Sequence, residues 1–161
     1  MMINQDMTTL LLAIAAITPV AAAAIAGNLA TIPNIPTWYA HLAKPSFNPP
    51  NWLFAPVWAT LFVMMAYAFY RVLSSGAADW TNLAIVAFLI QVALNAAWSW
   101  VFFSFHSPRG GLVVIAALWL AIVLTIVAFW QVDRTASVLL WPYLLWVSFA
   151  AILNWEIERL N

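Results

Sequence analysis

The chain has 161 residues, of which 66% are hydrophobic and 6% are charged, and this excludes a soluble domain, in which about a quarter of the residues carry charge. Its five basic and five acidic residues cancel, which excludes a basic surface for nucleic acid and a polybasic patch for anionic lipid. It has no cysteine, which excludes disulfides, thiolate catalysis and thiolate metal sites.

The first predicted element is a transmembrane helix at 7–27. Residues 7–26 are apolar over about the twenty positions that a spanning helix needs. The alanine run at 21–24 resembles a signal cleavage site. However, the preceding segment holds Asp6 and no Lys or Arg, whereas a secretory signal needs a positive n-region. We therefore interpret this segment as the first span.

Four more spans are predicted where charged residues bracket long apolar runs. They lie near 52–73, 80–104, 110–131 and 135–157. The connections between the second and fifth spans are short, so consecutive helices are expected to be antiparallel neighbours. The predicted fold class is an all-α integral membrane protein, with residues 1–161 forming a single five-helix transmembrane domain.

A long connection at 28–51, rich in proline and tryptophan, separates the first two spans. Pro45, Pro49 and Pro50 lack an N–H and push the residue before each of them out of the helical region, so most of this segment is expected to be non-helical. Irregular backbone at a membrane edge is tolerated only where protein or water satisfies its polar groups. The segment is therefore predicted to lie across the mouth of a cavity as a pocket lid.

One face of the third span carries both amides and aromatic rings. At about 100° per residue, this face holds Phe88, Gln91, Asn95, Trp98 and Phe102. An unpaired amide in hydrocarbon costs several kcal/mol, so Gln91 and Asn95 are expected to face the bundle interior or a cavity. Two interpretations stay open: the amides bond a neighbouring helix, or they meet a ligand.

The fifth span has a similar face, made of Tyr143, Trp146, Ala150, Leu153 and Asn154. Counting the membrane crossings puts the long loop and the ends of the third and fifth spans on one side. Asn95 lies about eight residues before the end of the third span, or roughly 12 Å below that surface at 1.5 Å per residue. These positions predict a pocket between the two spans, under the loop.

The tryptophans and the charged loop residues can each be explained either by packing and the membrane interface or by a functional role. Most of the eleven tryptophans lie near span ends, where an interfacial belt accounts for them. Trp119 and Trp146 lie close to mid-span, where packing or a ligand must account for the indole N–H. His41 and Lys44 are placed to meet the carboxylates of an amphiphile, or Lys44 snorkels to water as interfacial lysines do.

Three stretches of the chain together resemble the translocator protein family, also called tryptophan-rich sensory proteins. The sequences are W-Y-A-H-L-A-K-P-S-F-N-P-P-N-W-L-F-A-P-V-W at 38–58, Q-V-A-L-N-A-A-W-S-W-V-F-F at 91–103 and W-P-Y-L-L-W-V-S-F-A-A-I-L-N at 141–154. The resemblance implies a five-helix bundle, usually a homodimer, which binds porphyrins, sterols and synthetic aromatic ligands in a pocket closed by the first loop. Carried over residue by residue, it implies pocket roles for Tyr39, Trp52, Asn95, Trp98, Trp146 and Ala150.

Two positions depart from the animal members of that family. Trp155 stands where their sterol-recognition motif requires Tyr, which argues against high-affinity sterol binding. Gly110 and Gly111 stand near a site that carries Trp in the animal proteins. The absence of the sterol motif, together with the short tail, favours a bacterial tetrapyrrole-handling protein in the bacterial cell membrane, and the outer membrane stays open.

Three functional hypotheses follow. The first is a membrane receptor and carrier that binds porphyrin-type tetrapyrroles and regulates or transports them. The second, reported for some members of the family, is light-dependent porphyrin degradation in which Trp52 and Trp146 carry radical chemistry. The third is a structural or assembly role. No nucleophile–base–acid set or metal-ligand spacing is present, and no span holds a charged residue that could relay protons, so neither a metal nor a cofactor is expected.

Overall fold

The computed structural model describes residues 2–76 and 79–161. Within them, five helices are long and apolar enough to cross a membrane, and no strand is present. Their bounds are Gln5–Tyr39, Asn51–Ser74, Thr81–Ser104, Pro108–Val132 and Arg134–Leu160. The predicted all-α, five-span architecture is confirmed.

The first span is longer than the sequence predicts. Helix α1 runs over Met2–Thr31 and continues through a 3-10 turn at Ile32–Asn34 and a π-helical turn at Ile35–Tyr39. Helical structure therefore occupies much of the connection predicted to be irregular, and only residues 42–50 have no helix. The reason is that each of the two short turns carries its proline in the first two positions, where a missing N–H costs no hydrogen bond.

The next three spans match their predicted ranges to within about two residues. Helix α2 covers Asn51–Ser74 and helix α3 covers Thr81–Ser99. A π-helical turn at Trp100–Ser104 extends α3. Helix α4 covers Pro108–Val132. Ser107 caps α4, because its side chain accepts a hydrogen bond from the N–H of Gly110 at 3.0 Å.

The fifth span is divided into two helices, although a single helix is predicted. Helix α5 covers Arg134–Leu139 and helix α6 covers Trp141–Leu160. The division falls just before Pro142, which lacks the N–H that would continue the α5 hydrogen bonds and which lies in the first turn of α6. Chain direction is kept across the division, so the two pieces together cross the membrane once.

Large aromatic side chains fill the half of the bundle that lies away from residues 42–50. Phe88 is stacked between Phe69 and Phe129, with ring centroids 4.1 Å and 5.7 Å apart, and all three are buried. They come from α3, α2 and α4, so one stack joins three helices. Stacked rings bury large apolar areas and add a specific geometric preference.

An ion pair joins α2 to the junction of α4 and α5. Arg71 Nη2 lies 2.8 Å from Asp133 Oδ2, and Asp133 Oδ1 also accepts the N–H of Ala136 at 2.8 Å as the cap of α5. Burial alone would raise the pKa of Asp133, but the hydrogen bonds from Arg71 and from the Ala136 N–H outweigh it and hold the pKa below its usual value.

This pKa predicts how stability depends on pH. A depressed carboxyl pKa contributes stability that is present above the unfolded-state pKa and is lost as the pH falls through the lower folded-state pKa. Asp133→Asn keeps a good helix cap and removes the charge, so it should lower Tm at neutral pH. The difference in Tm from wild type should shrink as the pH falls below about 4. Thermal unfolding in detergent followed by circular dichroism measures it, and a difference that does not change with pH contradicts the prediction.

Candidate functional site

A cavity of about 560 Å³ lies in the half of the bundle near residues 42–50. Its size is typical of small-molecule sites. Side chains from α1, α2, α3 and α6 and from the turns that follow α1 and α3 form its wall. Twenty-four residues line it: Ala23, Ala24, Gly27, Asn28, Thr31, Ile32, Ile35, Tyr39, Asn51, Phe54, Ala55, Trp58, Ala59, Phe62, Asn95, Trp98, Ser99, Phe102, Phe103, Trp146, Ala150, Leu153, Asn154 and Ile157.

The structure brings five of the six predicted pocket residues to this wall and leaves one outside. Those on the wall are Tyr39, Asn95, Trp98, Trp146 and Ala150. Trp52 does not line the cavity, and 71% of it is exposed.

Trp52 lies in the first turn of α2, at the edge of the helix face that lines the cavity. The wall residues of this helix are Asn51, Phe54, Ala55, Trp58, Ala59 and Phe62, and at about 100° per residue Trp52 falls about 20° beyond Ala59 at one side of that face. Its side chain is directed outward from this edge, where 71% of Trp52 is exposed. Phe54 and Trp58 are therefore wall residues that sequence reasoning did not identify, although their i, i+4 spacing with Phe62 indicated a common face.

Asn95 bonds a neighbouring helix and also lines the cavity. It is 5% exposed, it lines the cavity, and its Nδ2 donates a hydrogen bond to Tyr143 Oη at 3.0 Å. The same amide thus joins α3 to α6 and presents a polar group to the cavity. The prediction that Asn95 and Gln91 avoid lipid is confirmed, because Gln91 is 1% exposed.

A second polar group, Asn154, holds the indole of Trp98 in place. Trp98 Nε1 donates to Asn154 Oδ1 at 3.1 Å, and Asn154 Nδ2 donates to the carbonyl of Pro108 at 2.8 Å. A Cβ on Gly111 would lie 2.7 Å from Asn154 Oδ1. The glycine at this position is therefore what allows α4 to approach Asn154, which in turn orients Trp98.

Aromatic rings dominate the wall. Trp98 stacks on Phe102 with centroids 5.2 Å apart and planes 22° from parallel. Trp146 meets Phe54 edge to face at 5.8 Å, so it pairs α6 with α2. None of the wall residues carries a charge, so the cavity is a neutral, aromatic slot with a few amide and hydroxyl groups.

Polar contacts fix residues 42–50, the part of the first connection that has no helix. Tyr39, which is 6% exposed, donates its hydroxyl hydrogen to Asn48 Oδ1 at 3.0 Å, and Lys44 Nζ lies 4.7 Å from the centroid of the Tyr39 ring. Asn161, at the end of α6, accepts the N–H of Ala43 and donates to its carbonyl, each at 3.0 Å. Residues 42–50 are thus tied both to Tyr39, in the π-helical turn that follows α1, and to Asn161 at the end of α6.

The other loop residues lie off the cavity wall. His41 Nδ1 is hydrogen-bonded to the carbonyl of Thr37, and Lys44 Nζ also donates to the carbonyl of Leu42 at 3.0 Å. The ring of His106 stacks on Trp38 at 4.8 Å. Lys44 contacts a wall residue through its cation–π contact with Tyr39.

Known proteins match this chain along most of its length. The model of the TspO/MBR family matches residues 15–160. The chain is 49% identical to the Tryptophan-rich protein TspO of Chlorobaculum tepidum, covering 87% of this chain and 89% of that protein. It is 42% identical to the Tryptophan-rich protein TspO of Archaeoglobus fulgidus, covering 92% and 95%. It is 39% identical to the human Translocator protein, covering 77% and 75%.

The close approach of Gly111 to Asn154 predicts the effect of adding one methyl group at position 111. Gly111→Ala should displace Asn154 and disturb Trp98, which lowers Tm by several degrees because an overpacked buried contact costs about 1–3 kcal/mol. Gly27→Ala is the matched control, since its Cβ would meet only the side chain of Ser99, with Oγ at 3.2 Å and Cβ at 3.7 Å. Thermal unfolding by circular dichroism compares the two variants, and equal Tm values would show that Gly111 has no special role.

Proposed function

The chain belongs to the TspO/MBR family of membrane proteins, and from this premise we propose that it is a membrane receptor and carrier for porphyrin-type tetrapyrroles. The ligand would lie in the cavity beneath the first connection. By holding tetrapyrroles there, the protein would regulate their accumulation or move them.

One observation carries the proposal: the cavity is walled by paired aromatic rings. Trp98 lies flat against Phe102, and Trp146 meets Phe54 edge to face. A flat, extended π-system gains both apolar burial and stacking against such rings. Asn95 adds a hydrogen-bonding group that can orient the ligand within an otherwise apolar site.

The neutrality of the wall indicates how a tetrapyrrole would be oriented. A carboxylate buried without a cation is strongly destabilised, and no wall residue offers one. The ligand's carboxylates would therefore stay at the mouth, where Lys44 lies over the ring of Tyr39. The apolar edge of the macrocycle would enter first and meet Trp98 and Trp146.

Light-dependent porphyrin degradation is the alternative function. The geometry reduces its candidate reactive tryptophans from two to one. Trp146 lines the cavity, whereas Trp52 is exposed and off the wall, so only Trp146 of the two is placed to react with a bound macrocycle. Under illumination, the wild type should bleach protoporphyrin faster than Trp146→Phe if this activity exists. Bleaching equal to that by free tryptophan in the same detergent would exclude it.

A homodimer in a bacterial cell membrane is expected, and chemical cross-linking in native membranes tests it. Sterols and synthetic aromatic ligands are further candidates for the same cavity. A structural or assembly role would be supported if tetrapyrroles bound no better than they do to an unrelated helical membrane protein.

The central prediction is that Trp146→Ala weakens protoporphyrin binding. Loss of one stacking ring, worth about 0.5–1.5 kcal/mol beyond burial, corresponds to roughly a 2- to 12-fold increase in Kd. Quenching of tryptophan fluorescence by protoporphyrin in the dark measures it, with circular dichroism as the check that each variant folds.

Trp52→Ala is the matched control, because it removes the same side chain from outside the cavity. Its Kd should equal that of the wild type. Linear quenching that is the same in all three proteins would mean that protoporphyrin partitions into the detergent, and the proposed function would then be wrong.

A further inference from the structure

Gln91 is a buried amide without a protein partner. It lies near the middle of α3, it is 1% exposed, and neither its Nε2 nor its Oε1 makes a hydrogen bond with any part of the chain in 2–76 and 79–161. Water pairs such groups in a soluble protein, but hydrocarbon cannot do so in a membrane span. A buried amide whose oxygen and nitrogen both lack a hydrogen-bond partner is strongly unfavourable. Gln91 therefore requires a polar molecule as its partner.

The groups nearest in register to Gln91 are also incompletely paired. Asn95 follows four residues later, and residues at that spacing lie on one face of a helix with their Cβ atoms about 5–6 Å apart. Asn95 Nδ2 donates to Tyr143 Oη at 3.0 Å, and Asn95 Oδ1 accepts no hydrogen bond from a residue that the structure describes. Since Tyr143 Oη is the acceptor in that bond, its own hydrogen remains available for donation.

These groups match the hydrogen-bonding capacity of one water molecule. Gln91 Oε1 and Asn95 Oδ1 are two acceptors, and Gln91 Nε2 and Tyr143 Oη are two donors. A water molecule donates twice and accepts twice, and buried waters typically make about three hydrogen bonds to polar groups that lack other partners. We propose that Gln91, Asn95 and Tyr143, of which Asn95 lines the cavity, form a binding site for one ordered water molecule.

Gln91 makes no direct hydrogen bond to Asn95, so the two amides are not paired with each other. Their Cβ positions at i and i+4 lie about 5–6 Å apart on one helix face, which brings both side chains within reach of one water molecule at hydrogen-bond lengths of about 2.9 Å. The water would fix the amide plane of Asn95, which lines the cavity. Gln91 is then a positioning residue for Asn95, whatever ligand the cavity takes.

Gln91→Met tests the site, because methionine has nearly the shape of glutamine and forms no strong hydrogen bond. If Gln91 holds a water, the variant loses those bonds and Tm falls by roughly 4–8 °C. If Gln91 is an unpaired amide, its removal relieves the burial penalty and Tm rises. Leu118→Met, a change at another fully buried position, is the control for the ordinary effect of a buried methionine. A Tm for Gln91→Met at or above that of this control overturns the proposal.

A second measurement detects the water itself and works on the wild type even if the variant fails to fold. Exchange into H₂¹⁸O should shift an O–H stretching band of the dehydrated protein in the infrared, and a high-resolution crystal structure should show a solvent peak within hydrogen-bond distance of both amides. The band should be absent from folded Gln91→Met. A crystal structure in which Gln91 bonds a protein group directly, with no solvent peak, overturns the proposal. Neither measurement depends on tetrapyrrole binding, so this site and the proposed function can fail separately.

Discussion

A polar side chain buried in this bundle requires a hydrogen-bond partner from the protein or from a bound molecule, because hydrocarbon offers none. Two side-chain contacts meet that requirement around the cavity, from Asn95 to Tyr143 and from Trp98 to Asn154. Asn154 then reaches the backbone of α4 at Pro108. The polar contacts that satisfy burial are therefore the same contacts that hold α3, α4 and α6 around the candidate site.

The sizes of the side chains explain why one half of the bundle is densely packed, here called the solid half, and the other contains the cavity, here called the hollow half. Phe69, Phe88 and Phe129 fill the solid half with a continuous stack. In the hollow half, small wall residues such as Gly27 and Ala150 stand between the large rings. The rings pack against one another, and the small residues between them leave the space that forms the cavity.

Much of this arrangement depends on the composition and periodicity of single segments and can therefore be predicted from the sequence. Long apolar runs bounded by charge determine the spans, and the helical period places Asn95, Trp98, Trp146 and Ala150 on inward faces. The helical extension of α1 over Ile32–Asn34 and Ile35–Tyr39 was not predicted. Proline is compatible with the first turn of a helix as well as with a loop, and only the packing of the extension against the rest of the bundle selects the helix.

By itself, the sequence determined the class of protein, the number of spans and most of the inward-facing residues, because each depends on composition or on helical periodicity. Only the tertiary structure decided that Trp52 lies outside the cavity, that Phe54 and Trp58 line it, and that Gly111 lets α4 approach Asn154. These outcomes depend on the rotation of each helix about its own axis and on the distance between neighbours. Helix rotation and interhelix distance are set only when all the helices pack together. They therefore cannot be predicted from the sequence of any single helix.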